Sequence, residues 1–147
     1  MGISKYNSEG YYDPTPHEAI SSIEGTQHVW KPLVYICSPY SGDTDKNTAK
    51  ARAYCRYAVD AGAIPFAPHL MLPQFMSEET ERETAMFFNK VYLGRCEQLW
   101  VFGDVITDGM AREITQAKKY LKKIRYFTEE CEEKNAETDK AVQKLRR

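Results

Sequence analysis

Apolar residues along this chain fall in short runs separated by longer amphipathic stretches, the pattern of buried strands alternating with covering helices. Leu33-Val34-Tyr35-Ile36-Cys37 is a β-favouring run that ends in a turn-rich segment, Ser38-Pro39-Tyr40-Ser41-Gly42-Asp43. From about Thr44 to Ala61, residues Ala51, Tyr54, Cys55, Ala58 and Val59 recur at helical spacing, and Gly62 supplies the stop. Ala63 to Ala67 predicts a second short strand with Pro65 favouring one end of it, and Pro68 to Pro73 leaves it as a loop. A second helix is expected to start near Ser77 or Thr80, where Thr80-Glu81-Arg82-Glu83 has the form of a capping box, and to bury Phe87, Phe88 and Val91. Gln98 to Phe102 reads as the third strand, about Gly109 to Leu121 as a third helix, and Ile124 to Phe127 as a fourth strand.

Strands alternating with helices of this length imply an α/β domain over residues 33–127, a parallel sheet covered on both faces with right-handed crossovers. Residues 1–32 read as an N-terminal extension: Thr15 as N-cap, Pro16 at the first helical position and Glu18 reaching back open a short helix through Ile23 that stops at Gly25. Residues 128–147 form a charged tail with scattered apolar positions, expected as a solvated terminal helix or an oligomer contact.

With 20 basic and 21 acidic residues the net charge is −1, so no broad field favours duplex nucleic acid or a membrane surface as partner. Cys37, Cys55, Cys96 and Cys131 show no C-x-x-C spacing and read as reduced core thiols, while His17, His28 and His69 are unclustered, which argues against a zinc site. No leader and no apolar run approaching the ~20 residues needed to span a bilayer is found, so a cytoplasmic location is expected.

In an open parallel sheet the loops after each strand gather at one edge, where ligands bind. The first loop brings Ser38, Tyr40, Ser41, Gly42 and Asp43 to a helix N-terminus, a setting suited to an anionic group, although neither G-x-G-x-x-G nor a P-loop is present. The second brings His69, which between two prolines reads first as a hydrogen-bonded structural group and second as a ligand contact. The third brings Thr107, Asp108 and Gly109. Asp108 reads either as a helix cap or as a site residue, and Glu113, one turn into the helix, either as a solvated glutamate or as a carboxylate held over the strand end.

Three segments together resemble the nucleoside 2-deoxyribosyltransferase-like superfamily, in its small uncharacterised branch: Tyr35-Ile36-Cys37-Ser38-Pro39-Tyr40, Trp100-Val101-Phe102-Gly103, and Asp108-Gly109-Met110 leading to Glu113-Ile114-x-x-Ala117. The likeness covers about residues 33 to 127. It implies a flavodoxin/Rossmann-like parallel sheet of four to five strands and an enzyme that cuts or exchanges the N-glycosidic bond of a nucleoside or nucleotide, with no cofactor. By the same resemblance Glu113 is the nucleophile, and Tyr35 orients it through its hydroxyl. Ser38, Pro39, Tyr40, Ser41 and Gly42, with Thr107, Gly109 and Met110, would surround the ligand and its 5′-phosphate. Family members are commonly dimers or larger, so a homodimer or higher homo-oligomer is expected.

Two departures qualify that resemblance. Counting eight residues back from Glu97 places Asn89 where the family commonly has an aspartate, and an amide cannot give up a proton, which leaves Asp108 or a water to protonate the leaving base. Arg112 precedes the glutamate where small residues are usual, and it reads as a phosphate ligand, a charge partner for Glu113 or a solvent-facing residue. Tyr40, Phe66 and Phe75 are candidates for stacking on a base, and Arg52 and Arg56 for reaching a phosphate across a subunit boundary. The alternative to an enzyme is a catalytically inactive module that binds a nucleotide or nucleotide derivative, and Asn89 is the feature that favours it.

Overall fold

The computed structural model describes residues 29–134, and the helix expected at Thr15 to Ile23 lies outside them. Within that range the chain runs β1 (Leu33–Cys37), α1 (Thr44–Asp60), β2 (Ile64–Phe66), two short 3-10 turns (Pro68–Leu70 and Leu72–Gln74), α2 (Arg82–Arg95), β3 (Gln98–Phe102), α3 (Asp108–Lys119) and β4 (Lys123–Phe127). All strand pairs are parallel and the sheet order is β2-β1-β3-β4. This is the α/β fold expected from the alternation of elements, with four strands.

Side-chain alternation splits β1 between two cores. Val34 and Ile36 pack with Tyr54 and Ala58 of α1 and with Trp100, Phe102 and Phe127. Rings of Tyr54 and Phe102 stack at 4.3 Å, and those of Phe102 and Phe127 at 4.8 Å. Tyr35 and Cys37 point the other way, into Leu93 of α2, Leu99 and Val101 of β3, and Met110 and Ala117 of α3. Helices therefore cover both faces, and the second face carries the candidate chemistry.

Strand order decides where a ligand can enter. The chain leaves β1 for β2 on one side, whereas β3 pairs with β1 on the other, in the register Tyr35↔Leu99 and Cys37↔Val101. The connections after β1 and β3 thus diverge and leave a crevice beyond their carboxyl ends, the switch point of an open sheet.

Several local expectations differ from the structure. α2 begins at Arg82 without the box at Thr80: Glu81 takes the cap position with no side-chain cap bond, and its Oε1 accepts from the backbone N–H of Ser77 at 3.0 Å. Its phase also differs: α2 buries Leu93, with Ala85, Met86, Asn89 and Tyr92 half-buried, while Phe87 and Val91 are exposed and Phe88 is half-buried. Val59 of α1 is exposed as well. α3 stops at Lys119, and Leu121 takes φ 57 to close the turn, donating its N–H to Lys118 O at 3.1 Å. Residues 128–134 fold back along β4, with Lys134 N donating to Tyr126 O at 2.8 Å, and the rest of the charged tail lies outside the described residues. No helix among the described residues is long and apolar enough to cross a membrane.

Candidate active site

β1 ends at Cys37, and Ser38 follows it still buried, so the chain turns away from the sheet directly above the switch point. Asn47 fixes that turn by donating from Nδ2 to the carbonyls of Tyr40 and Ser41, both at 3.1 Å, and Gly42 supplies the positive φ of 99°. His69 lies beneath it, with Nε2 3.2 Å from Ser38 O and its ring stacked on Tyr40 at 4.9 Å and 11°. Burial holds the His69 pKa below the ordinary imidazole value, so at neutral pH the ring is uncharged, and Nε2–H is the donor to the carbonyl. The structural reading of this histidine is thus realised, and its ring also forms part of a cavity wall.

On the opposite side Thr107 caps α3, its Oγ1 accepting from Met110 N at 3.3 Å. Asp108 is not the cap. It occupies the exposed first turn, where a carboxylate complements the helix dipole without closing the cap bond. One turn on, Glu113 points inward. The residue keeps partial exposure, yet its Oε2 is sealed from solvent and has no hydrogen-bond partner. Burial raises its pKa to about 7, against a smaller downward pull from the Cys37 thiol and the Tyr35 phenol. Glu113 accordingly holds its proton to a higher pH than an ordinary carboxyl. Tyr35 has no exposed surface; burial first, and the Glu113 charge second, push its phenol well above the ordinary value. These groups influence one another electrostatically, although neither Tyr35 Oη nor Glu113 Oε2 closes a bond of ordinary geometry.

A cavity of about 820 Å³ opens over this carboxyl. Among the described residues, four buried side-chain oxygens or hydroxyls lack a partner: Tyr35 Oη, Ser38 Oγ, Asn89 Oδ1 and Glu113 Oε2. Ser38, Asn89 and Glu113 line the cavity, and Tyr35 lies behind Glu113. Buried polar atoms are normally paired, so their concentration around one cavity marks a place made to be completed by a ligand or by water. No three His, Cys, Asp or Glu side chains among the described residues converge as a metal ion would require.

A sequence profile for DUF7768, a domain of unknown function, matches residues 32–127. The chain belongs to the DUF7768 family. No curated protein matches the chain. Among solved structures, the DUF7768 domain is similar to a 2-deoxyribosyltransferase from the psychrotolerant bacterium Bacillus psychrosaccharolyticus, with 22% identity and a TM-score of 0.49 over 65% of this chain and 72% of that one. It is also similar to a CMP N-glycosidase from Clostridium botulinum, with 16% identity and a TM-score of 0.45 over 65% of this chain and 68% of that one.

In the DUF7768 domain most of the expected site residues meet. Ser38, Tyr40, Ser41 and His69 line the cavity from the β1 side. Thr107, Asp108, Gly109, Met110, Arg112 and Glu113 line it from α3, and Asn89 lines it from α2. Pro39 and Gly42 shape the first loop without lining the cavity. Arg112 makes no ion pair with Glu113; its Nη1 rests 3.5 Å from Met86 Sδ at the rim, which removes the charge-partner reading. Phe66 packs on Tyr92 at 4.5 Å and Phe75 is exposed, and neither lines the cavity. Arg56 is paired with Asp60 one turn away, and Arg52 is exposed away from the cavity.

Two contributions escaped the sequence reading. Leu72, Pro73, Met76, Ser77 and Glu78, with Met86 and Lys90 of α2, also line the cavity. Cys37, expected as an ordinary core thiol, lies against Glu113 and donates to Met110 O at 3.9 Å. The signal for it was its i+2 relation to Tyr35, which puts both side chains on one face of β1.

Proposed function

We propose that this protein is an N-glycosidic-bond hydrolase or transferase that acts on a nucleoside or nucleotide through Glu113. The observation that carries the proposal is the Glu113 carboxyl itself, at the boundary of a cavity over the switch point, with one oxygen sealed and unpartnered beside a buried phenol. A carboxylate in that setting lacks a cation to neutralise it and is available to bond a carbon electrophile.

The reaction proceeds by two displacements. The ionised Glu113 donates an electron pair to C1′ of the sugar to form a C1′–O bond while the C1′–N bond breaks, and the base leaves with the electrons of that broken bond and gains a proton from Asp108 or a water. A water, or the nitrogen of a second base, then attacks C1′, releases the Glu113 carboxylate and loses its proton to solvent. Tyr35 holds the carboxylate by donating its phenolic hydrogen, and the Tyr40 and His69 rings offer a flat wall to the base. Ser38, Ser41 and the first turn of α3 are the donors proposed for a 5′-phosphate when one is present. The protein is taken to work in the cytoplasm as a homo-oligomer, and a light-scattering mass equal to a single chain would contradict that part.

Incubation with a panel of 2′-deoxynucleosides and their 5′-monophosphates, followed by chromatography of free base, tests the proposal. Base release by the wild type and none by Glu113→Gln, with the same circular dichroism, is expected. A second reading, a ligand-binding module without turnover, is favoured by Asn89, whose amide stands at the cavity where a proton donor would serve. Calorimetric binding of a nucleotide with no base released would select it.

A further inference from the structure

We propose that Cys37 is a positioning residue for Glu113, its single thiol hydrogen alternating between the Met110 carbonyl and the Glu113 carboxylate; this rests on the reading of Glu113 as the nucleophile. Cys37 closes β1, is wholly buried, and shares a strand face with Tyr35. Its Sγ lies 3.9 Å from Met110 O, in the first turn of α3, where Thr107 Oγ1 already holds Met110 N at 3.3 Å. That turn is therefore pinned at both ends of one residue, and Glu113 follows it by three positions on the same side of the helix.

The groups around the carboxyl give this thiol its importance. From β1 come only Tyr35 and Cys37; from α2 come Asn89, which is neutral, and Arg82 and Lys90 at the rim. α3 contributes Asp108 and Arg112, and the loops contribute His69 and Glu78. None of these forms an ion pair with Glu113 among the described residues. The two weak acids on β1 act on its carboxyl, and Tyr35 Oη and Glu113 Oε2 are both left without a partner. With Glu113 ionised, the thiol hydrogen turns to the carboxylate. With Glu113 protonated or bonded to a sugar, the hydrogen returns to Met110 O, so the thiol is satisfied in both halves of the cycle. The thiol favours the ionised carboxyl, and burial first, with the negative carboxyl second, keeps the thiol protonated.

The full-length chain with 13C-labelled glutamate carboxyls reports the Glu113 titration directly by NMR, assigned by loss of the signal in Glu113→Gln. Cys37→Ala is expected to move the midpoint upward, and Cys37→Ser, which keeps a hydrogen to donate, to hold it at or below the wild-type position. Under saturating substrate at pH 6, kcat of Cys37→Ala is expected to fall about tenfold with KM within about twofold, and Cys37→Ser to restore most of it. Equal midpoints in wild type and Cys37→Ala, or the same shift in both variants, overturns the proposal, because a packing role does not distinguish alanine from serine in this way. If Cys37→Ala does not fold, a Cys37→Ser midpoint above that of the wild type overturns it. A protein that turns over no substrate defeats the enzymatic reading, while the NMR titration still decides what Cys37 does to Glu113.

Discussion

Tyr35 and Glu113 bring a phenol and a carboxyl together at a place sealed from solvent, one from the middle of a central strand and the other from the second turn of a helix. Burial makes it harder for either to carry a negative charge; the Glu113 carboxylate raises the phenol further, whereas the phenol pulls the carboxyl back down. A fold that wanted only stability would fill this space with apolar side chains.

That arrangement gives stability an unusual pH dependence. A carboxyl of ordinary value 4.5 held at about 7 binds its proton more tightly folded than unfolded. The stability it contributes is fully present below about pH 4.5 and is lost as pH rises through about 7, a loss of about 3 kcal/mol. Glu113→Gln is therefore expected to match the wild type in urea denaturation at pH 4.5 and to exceed it by up to about 3 kcal/mol at pH 8. A constant difference across that range would contradict the placement of the carboxyl.

Activity should show the complementary limb. Ionised Glu113 is the reactive form, so kcat/KM for base release rises with pH through about 7 and then levels off. Tyr35→Phe removes a donor to the carboxylate, and its acid limb is expected above that of the wild type, with kcat lowered roughly a hundredfold. An unchanged limb would show that the phenol does not act on the carboxyl.

Asn89 leaves a buried amide oxygen without a partner in the free protein. Replacing it with leucine, which has the same side-chain branching, is expected to raise folding stability by about 1 kcal/mol and to weaken nucleoside binding about tenfold, measured by thermal melting and calorimetry on the same sample. Loss of stability with binding intact would mean that the amide serves the fold and not the ligand.

Thr107 sets the start of α3 and so the height of Glu113 over the sheet. Thr107→Ala is expected to cost about 1 kcal/mol in urea denaturation. Its kcat is expected to fall more than its KM rises, because the loss misplaces a reacting group. Equal effects on both constants would argue that Thr107 only contacts the ligand.

Much of this was legible in the sequence. The run Gln98 to Phe102 is apolar enough to be buried on both faces, and it is a strand over that span. Glu113 was legible because one turn past a strand end is a fixed place in an open sheet. The phase of α2 was not, because Phe87, Phe88 and Val91 compete with Ala85, Met86, Tyr92 and Leu93 for the inward face. The stripe that won includes Asn89, and a helix face that borders a cavity has no need to be apolar. Cys37 was hidden for another reason: its i+2 relation to Tyr35 gives the strand face but not which helix lies over the strand end. Asp108 and Thr107 are neighbours that both favour the cap position, Asp the more strongly, and only the backbone geometry at the helix start gives the cap to Thr107.

The central claim is that Glu113 bonds to the sugar. Brief mixing of the protein with a 2′-deoxynucleoside, acid quenching and mass spectrometry of the digested chain tests it most directly. The account predicts a 2-deoxyribosyl adduct on the peptide that contains Glu113, absent from Glu113→Gln. Release of base at full rate with no adduct on that peptide, or with the adduct on another residue, would contradict it.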